Sequence, residues 1–197
     1  IAALLFWGVY THLAVFNGAF SVWWWALLVL HLVFFSLALV IAVHDARTTY
    51  IPDTLNLAVF CSALAGLIAQ FFLGALDITG VLHHILAGAM LYVPFYVLWK
   101  VSGGRWIGLG DGKFAVSMGL LLGAWGGVSA VMYSFWLGAV VAMGALMLQR
   151  IAKRVGWKRA GTALGWGSEV PFGPFLVLGT GIVYFTNITI LHITSVV

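Results

Sequence analysis

Two aspartates, Asp45 and Asp111, have the side-chain chemistry of a peptide-cleaving pair. The chain has only five acidic residues in 197, and the order of its apolar runs places four of them at one edge: Asp45, Asp53, Asp111 and Glu169. Hydrolysis of an amide needs a base and an acid, and two carboxylates that share one proton supply both. The ionised member would deprotonate water, and the protonated member would donate to the scissile carbonyl. Asp45 and Asp111 are therefore the candidate catalytic residues.

A glycine-rich turn surrounds Asp111. Gly108, Gly110 and Gly112 alternate with Leu109, Asp111 and Lys113 at the start of an apolar run. Glycine permits a tight turn and lets another chain approach the backbone closely. We predict that the three glycines shape a site around the Asp111 carboxylate. For so short a motif, a capped tight turn without catalytic chemistry is the alternative.

The second acidic segment, HDARTTYIPD, contains Asp45 and Asp53. Asp53 follows Pro52 and precedes an apolar run, which is the position of a carboxylate that caps free amides at a helix start. We predict that Asp53 is such a cap. Asp45 ends the preceding apolar run, where a solvated helix-end aspartate would look the same. His44 is interpreted as an interfacial residue.

The elements that must position these residues are membrane spans. The chain is 63% hydrophobic and 7% charged, with a mean hydropathy of +1.12, and crossing lipid takes about 20 mostly apolar residues. We predict an all-α polytopic membrane protein with about seven spans, of which the first is truncated. The predicted spans are residues 1–16, 22–43, 55–74, 82–100, 114–128, 130–149 and 172–193.

The charges predict how these spans are oriented. All nine basic residues fall on one side of the predicted spans, and the connections on the other side carry only Asp77. By the positive-inside rule the basic side is cytoplasmic, and Asp45 and Asp111 lie on it. Residues 151–169 form a basic stretch that we interpret as contacting phospholipid and not nucleic acid. The basic residues are Arg47, Lys100, Arg105, Lys113, Arg150, Lys153, Arg154, Lys158 and Arg159.

The ends and the single cysteine give further expectations. Ile1 opens directly into an apolar run without a charged region, so we expect no cleavable signal peptide and expect the chain to be a fragment of a longer protein. We predict one transmembrane domain over residues 1–197. Cys61 has no second cysteine, so neither an internal disulfide nor a cysteine zinc site is expected.

Three separated motifs make the chain resemble the type IV prepilin peptidases, the GxGD aspartyl proteases of bacterial membranes. Asp45 stands eight residues before Asp53 of Ile51-Pro52-Asp53, as in the first catalytic motif of that family. Gly108-Leu109-Gly110-Asp111 with Lys113 is similar to the second motif. The segment EVPFGPF, residues 169–175, resembles the proline-rich segment before the last span.

The resemblance implies that Asp45 and Asp111 are the catalytic pair of a membrane aspartyl endopeptidase. It implies a prepilin or pseudopilin substrate, as used in type IV pili and type II secretion, with a short basic leader cut after a glycine at the cytoplasmic boundary of the inner membrane. It also implies no metal or other cofactor for proteolysis. Bifunctional members use S-adenosylmethionine to methylate the new N-terminus and carry an N-terminal cysteine-containing region, which nothing in this chain matches.

Further site-shaping roles are predicted around the pair. Lys113 and Arg47 each follow a candidate aspartate by two residues, so we hypothesise that at least one of them pairs with its neighbouring carboxylate or binds an acidic group of the substrate. Headgroup contact is the alternative. In the proline-rich segment, Pro171, Gly173 and Pro174 are predicted to shape access for the substrate, or simply to start the last helix.

Three other readings of the chain stay open. A presenilin-like GxGD protease would share the carboxylate chemistry, but it carries a Pro-Ala-Leu motif where this chain has Pro-Phe-Gly-Pro. A small transporter would use buried aspartates to bind protons or cations, although its acids would be spread through the spans. An assembly scaffold with an inactive aspartate pair is the third alternative.

Overall fold

A computed structural model of the chain describes residues 2–13, 22–154 and 171–189, and in these ranges all regular structure is helical. Helix α4 packs most extensively on α5, followed by α5 on α6 and α2 on α3. The all-α class predicted from the sequence is therefore confirmed. The six helices are α1 (Ala2–Leu13), α2 (Val22–Thr48), α3 (Asp53–Phe72), α4 (Ile78–Ser102), α5 (Leu109–Arg154) and α6 (Gly173–Thr186).

Helix α2 extends beyond the apolar run that predicted it. The helix continues through the polar residues after position 43 and stops where Thr49 adopts a left-handed conformation with φ 54°. The Thr49 amide donates to the Asp45 carbonyl at 2.7 Å. His44 Nδ1 lies 2.9 Å from the Tyr50 carbonyl and 2.9 Å from the Thr48 hydroxyl. These contacts fix the end of α2 on which Asp45 lies.

Helix α5 reverses direction at Gly123. The Gly123 backbone, with φ 69° and ψ −174°, is not helical. A Cβ added at Gly127 would lie 3.6 Å from the Cα of Gly119, although eight residues of straight helix extend about 12 Å. Residues 109–122 and 124–154 therefore run alongside each other. Close to the break, His84 Nδ1 donates to the Leu120 carbonyl at 2.9 Å.

The predicted count of about seven spans is not confirmed. In the described part of the chain, four helices are long and apolar enough to cross a membrane, namely α2, α3, α4 and residues Leu109–Leu148 of α5. The predicted fifth and sixth spans both lie in α5, and the break predicted between residues 128 and 130 occurs at Gly123 instead. Helix α6 is apolar but shorter than a full span. Parts of predicted spans one and seven, and most of the basic stretch with Glu169, lie outside the described residues.

Apolar side chains occupy both the interior and the exterior of the protein. Phe34 and Ile41 of α2, Phe114 of α5 and Leu176 of α6 are fully buried between helices. The opposite face of α2 exposes a stripe of valines at helical spacing. A water-soluble protein would not present such a stripe, whereas lipid accepts it. The exposed valines are Val29, Val33, Val40 and Val43.

Helix α4 begins at a side-chain cap on Asp77. The Asp77 carboxylate accepts from the Gly80 amide at 2.8 Å and from the Thr79 hydroxyl at 2.7 Å. These bonds, first of all the one from Thr79, lower the pKa of Asp77 below its usual value. The single acid predicted on the far side of the membrane therefore serves to start a helix.

The crossing of α4 and residues 109–122 depends on two facing glycines. A Cβ added at Gly119 would lie 2.5 Å from the Cα and N of Gly88, so Gly119→Ala has to separate the two backbones. We expect this change to lower the free energy of unfolding by about 1–3 kcal/mol. Gly144→Ala is the matched control in the same helix, because its Cβ meets nothing within 4 Å. Denaturant unfolding in detergent checks both, and equal stability of the two variants would contradict the predicted close crossing.

Candidate active site

The two candidate aspartates lie at one end of the helices. Asp45 is in the last turn and a half of α2, and Asp111 is in the first turn of α5. Both side chains are buried, with 4% of Asp45 and 7% of Asp111 exposed. The backbone next to Asp111 closely approaches Ile51, which follows α2, so the two carboxylates lie on neighbouring segments. The structure thus brings together two buried carboxylates that are 66 positions apart in the sequence.

Helix α6 holds Asp45 at its N-terminus. Asp45 Oδ2 accepts from the Gly173 amide at 2.8 Å, and Gly173 is the first residue of α6. The free amides of a helix start attract negative charge. Gly173 is required sterically as well, because a Cβ there would lie 2.8 Å from Asp45 Oδ2 and 3.1 Å from its Cβ. The position of α6 therefore determines the position of the Asp45 carboxylate.

The start of α5 holds Asp111 in a comparable way. Asp111 Oδ2 accepts from the Gly108 amide at 3.2 Å, so the carboxylate reaches back over the first turn of its own helix. A Cβ at Gly110 would lie 3.0 Å from the Cβ of Ile51. Gly110 therefore sits where another segment approaches the backbone closely, and the site-shaping role of the three glycines stays a prediction.

Gly112 provides the second close approach in this turn. A Cβ at Gly112 would lie 3.0 Å from the Cβ of Phe95 and 3.5 Å from the ring of Tyr92. Phe95 in turn lies near the ring of Phe172, which directly precedes α6, with 6.5 Å between the ring centroids. Helices α4, α5 and α6 therefore meet beside Asp111.

This arrangement suits the transfer of protons to and from a bound substrate. Two buried carboxylates that interact electrostatically do not readily carry two negative charges, so one proton is favoured on the pair. The second oxygen of each carboxylate makes no hydrogen bond to another described residue. The pair can thus offer one proton donor and one proton acceptor to a molecule placed between α2 and α5.

Asp53 and Lys113 differ from their predicted roles. Pro52 is the N-cap of α3 and the structure shows no side-chain cap bond there, so the interpretation of Asp53 as a cap is wrong. Asp53 Oδ1 instead accepts from Lys113 Nζ at 2.6 Å. Because the Lys113 ammonium pairs with Asp53, the described residues show no pairing with its neighbour Asp111, and binding of an acidic substrate group by Lys113 stays a prediction. Arg47 is exposed, and its role stays a prediction.

The Asp53–Lys113 pair is expected to contribute little stability. The side chains are 68% and 37% exposed, and exposed ion pairs contribute about 0–1 kcal/mol. We therefore expect Lys113→Gln and Asp53→Asn each to change the free energy of unfolding by less than about 1 kcal/mol, and the double variant to lose no more than the worse single variant. A loss above about 2 kcal/mol in a detergent unfolding titration would show that the pair is more important than its exposure indicates.

Asn56 is a site residue that the sequence interpretation missed. Its side-chain amide donates to the Gly110 carbonyl at 3.1 Å and so ties α3 to the turn that holds Asp111. Asn56 is buried, and its Oδ1 has no hydrogen-bond partner among the described residues. An amide side chain in the first turn of an apolar span was the available signal.

The remaining predicted residues lie where helices begin. Pro171 stands two residues before α6 and Pro174 is in its first turn, so the simpler prediction of a helix start is confirmed. No group of three or more His, Cys, Asp or Glu side chains in residues 2–13, 22–154 and 171–189 is arranged to hold a metal ion. The expectation that no metal is needed stays a prediction.

Fold and site together define a polytopic helical membrane protein that holds a buried pair of carboxylates at one end of its helices. Residues 32–143 match the model of the type IV leader peptidase family. This match covers more than half of the 197 residues and includes both aspartates. The chain therefore belongs to the type IV leader peptidase family.

One curated relative shows how far the similarity extends. The prepilin leader peptidase/N-methyltransferase of Neisseria gonorrhoeae is 26% identical over 143 residues, which make up 73% of this chain and 43% of the relative. The matched region thus spans less than half of the relative's length. No solved structure matches the chain.

Proposed function

We propose that this chain is a membrane aspartyl endopeptidase that removes the short basic leader from type IV prepilins or pseudopilins. The observation that carries the proposal is the pair of buried carboxylates, Asp45 and Asp111, each held by the free amide of a helix start. Membership of the leader peptidase family and the name of the gonococcal relative support the choice of substrate.

In the proposed reaction the two carboxylates act as general base and general acid. The ionised member takes a proton from water, and the water oxygen attacks the carbonyl carbon of the scissile amide. The protonated member donates to the carbonyl oxygen, and a proton passes to the leaving nitrogen as the C–N bond breaks. The amides of Gly108 and Gly173 keep the carboxylates in place during these transfers.

We place the reaction at the cytoplasmic boundary of a bacterial inner membrane. The support is that Arg47, Lys100 and Lys113 lie at the helix ends next to the two aspartates, in agreement with the positive-inside rule. The partners in this proposal are the prepilin or pseudopilin substrate and the phospholipid around it. Family membership favours this reading over a presenilin-like protease, a transporter or an inactive scaffold.

We propose that proteolysis itself needs no metal or other cofactor, because the two carboxylates supply both an acid and a base. S-adenosylmethionine would be required only for a methyl transfer of the kind named for the gonococcal relative. Cleavage is therefore expected to proceed unchanged in the presence of a metal chelator.

The test is cleavage of candidate prepilins by the purified protein in lipid or detergent, followed by N-terminal sequencing of the product. A new N-terminus directly after the leader glycine, formed without added metal, is the expected result. Failure to cut any of several prepilins and pseudopilins, with the unfolding transition intact, would overturn the proposal in favour of the transporter or the scaffold.

A further inference from the structure

Asn56 carries an unused hydrogen-bond acceptor beside the proposed catalytic turn. Only 4% of the residue is exposed, its Nδ2 is bonded to the Gly110 carbonyl, and its Oδ1 has no partner among the described residues. A buried carbonyl oxygen without a donor is unfavourable, so such a group calls for a partner that arrives from outside. The Gly110 bond directs the side chain to the residue that precedes Asp111.

Asn56 forms part of the lining of a groove between α3 and α5. The groove has a volume of about 370 Å³ and mostly apolar walls from Leu57, Phe60 and Val116, and the Asp53–Lys113 ion pair lies on its margin. Leu57 is well exposed on the outer wall. Since α3 is long enough to cross a membrane and Leu57 is exposed, an apolar molecule can reach the groove sideways from the lipid.

We infer that this groove binds the substrate where its leader meets its apolar segment, and that Asn56 Oδ1 accepts a hydrogen bond from a substrate backbone amide. The inference rests on the proposed function and adds to it a binding groove and a positioning residue. Asn56 acts in two directions: Nδ2 holds the Gly110 turn that carries Asp111, and Oδ1 holds the substrate beside it.

The chemistry of the groove fits a peptide better than an acyl chain. A hydrocarbon chain fills apolar walls but offers no donor to Asn56, whereas a peptide offers apolar side chains and amide hydrogens together. The free amides of a peptide lie in its extended stretches and in the first turn of its helices. A substrate with an extended leader followed by an apolar helix presents such amides at the junction between the two.

A cycle of enzyme and substrate changes tests this contact. Synthetic substrate peptides with single backbone amides replaced by esters, one junction position at a time, are cleaved by the parent protein and by Asn56→Leu. In the parent, one ester position is expected to raise KM by roughly three- to tenfold, as the loss of one hydrogen bond does. In Asn56→Leu the same ester is expected to cause no further increase in KM. The kcat of this variant is expected to fall, because the Gly110 turn loses its hydrogen bond from Asn56.

Ser117→Ala is the matched control, because Ser117 Oγ is also buried and has no partner among the described residues but does not line the groove. Ser117→Ala is expected to show the same increase in KM as the parent at the same ester position. Additive effects, in which Asn56→Leu and the parent respond alike to every ester, would overturn the inference and leave Asn56 as a structural residue with water or lipid beside it.

A second variant covers the case in which Asn56→Leu does not fold. Leu57→Trp changes an exposed wall of the groove and is expected to raise KM at least threefold with kcat unchanged; an unchanged KM would exclude the groove as the binding site. If the parent protein cleaves no peptide, the proposed function itself fails. If it cleaves them and the cycle is additive, only the inference fails.

Discussion

Replacing either Asp45 or Asp111 with asparagine is expected to reduce kcat for leader cleavage by about 10³-fold or more. Asparagine has nearly the same shape as aspartate but neither takes up nor releases a proton, so the pair can no longer provide both an acid and a base. Because the two residues act as one unit, the double variant is expected to be no slower than either single variant. Initial rates on a prepilin peptide measure this.

Stability separates loss of chemistry from loss of fold in these variants. Each replacement removes a buried ionisable group next to a second one, so we expect the unfolding midpoint to stay the same or rise. Asp77→Asn is the matched control, because Asp77 is an exposed acid at the other end of α4 and asparagine caps a helix equally well. Activity retained in Asp45→Asn or Asp111→Asn would remove that residue from the pair.

Gly173→Ala is expected to reduce cleavage by about 10²-fold while the protein stays folded. The added Cβ would lie 2.8 Å from Asp45 Oδ2 and 3.1 Å from Asp45 Cγ, so the carboxylate or the start of α6 has to move by several tenths of an ångström. A displacement of this kind at a reacting group is enough for such a loss. The fall is expected in kcat, and circular dichroism together with the unfolding midpoint shows whether the fold is retained.

Gly181→Ala in the same helix is the control for Gly173→Ala. Its Cβ would meet only the Phe185 ring at 3.9 Å, which is ordinary contact, so full activity is expected. Adding Gly173→Ala to Asp45→Asn is expected to cost no further activity, since both changes act on the same carboxylate. A 10²-fold further loss in that double variant would assign Gly173 a role independent of Asp45.

The sequence was sufficient to identify the class of the fold, whereas the catalytic role of the two aspartates stays a prediction. Apolar runs predict helices because the backbone in lipid has to satisfy its own hydrogen bonds, and α2, α3 and α4 lie where those runs are. Asp45 and Asp111 were placed on one side by counting spans, and the structure brings them together. The predicted ends of the helices were less accurate: α2 continues to Thr48 because polar residues extend a helix that hydropathy alone ends at residue 43.

Contacts between distant segments could not be predicted in the same way. The bond from Gly173 to Asp45 joins residues 128 positions apart, and the bond from Asn56 to Gly110 joins residues 54 apart. Neither contact leaves a local pattern in the sequence. Asp53 shows the same limit: its position before a helix indicated a cap, but a lysine 60 positions further along the chain binds it instead.

The reversal at Gly123 also bears on how the protein enters the membrane. The connection between residues 109–122 and 124–148 contains no charged residue. The Leu120 carbonyl near the break already has His84 as a hydrogen-bond partner. Nothing strongly hydrated therefore has to be carried across the bilayer at this connection. The two segments can therefore enter the bilayer together as one hairpin, with the turn bearing Asp111 and the C-terminal end of α5 on the same side.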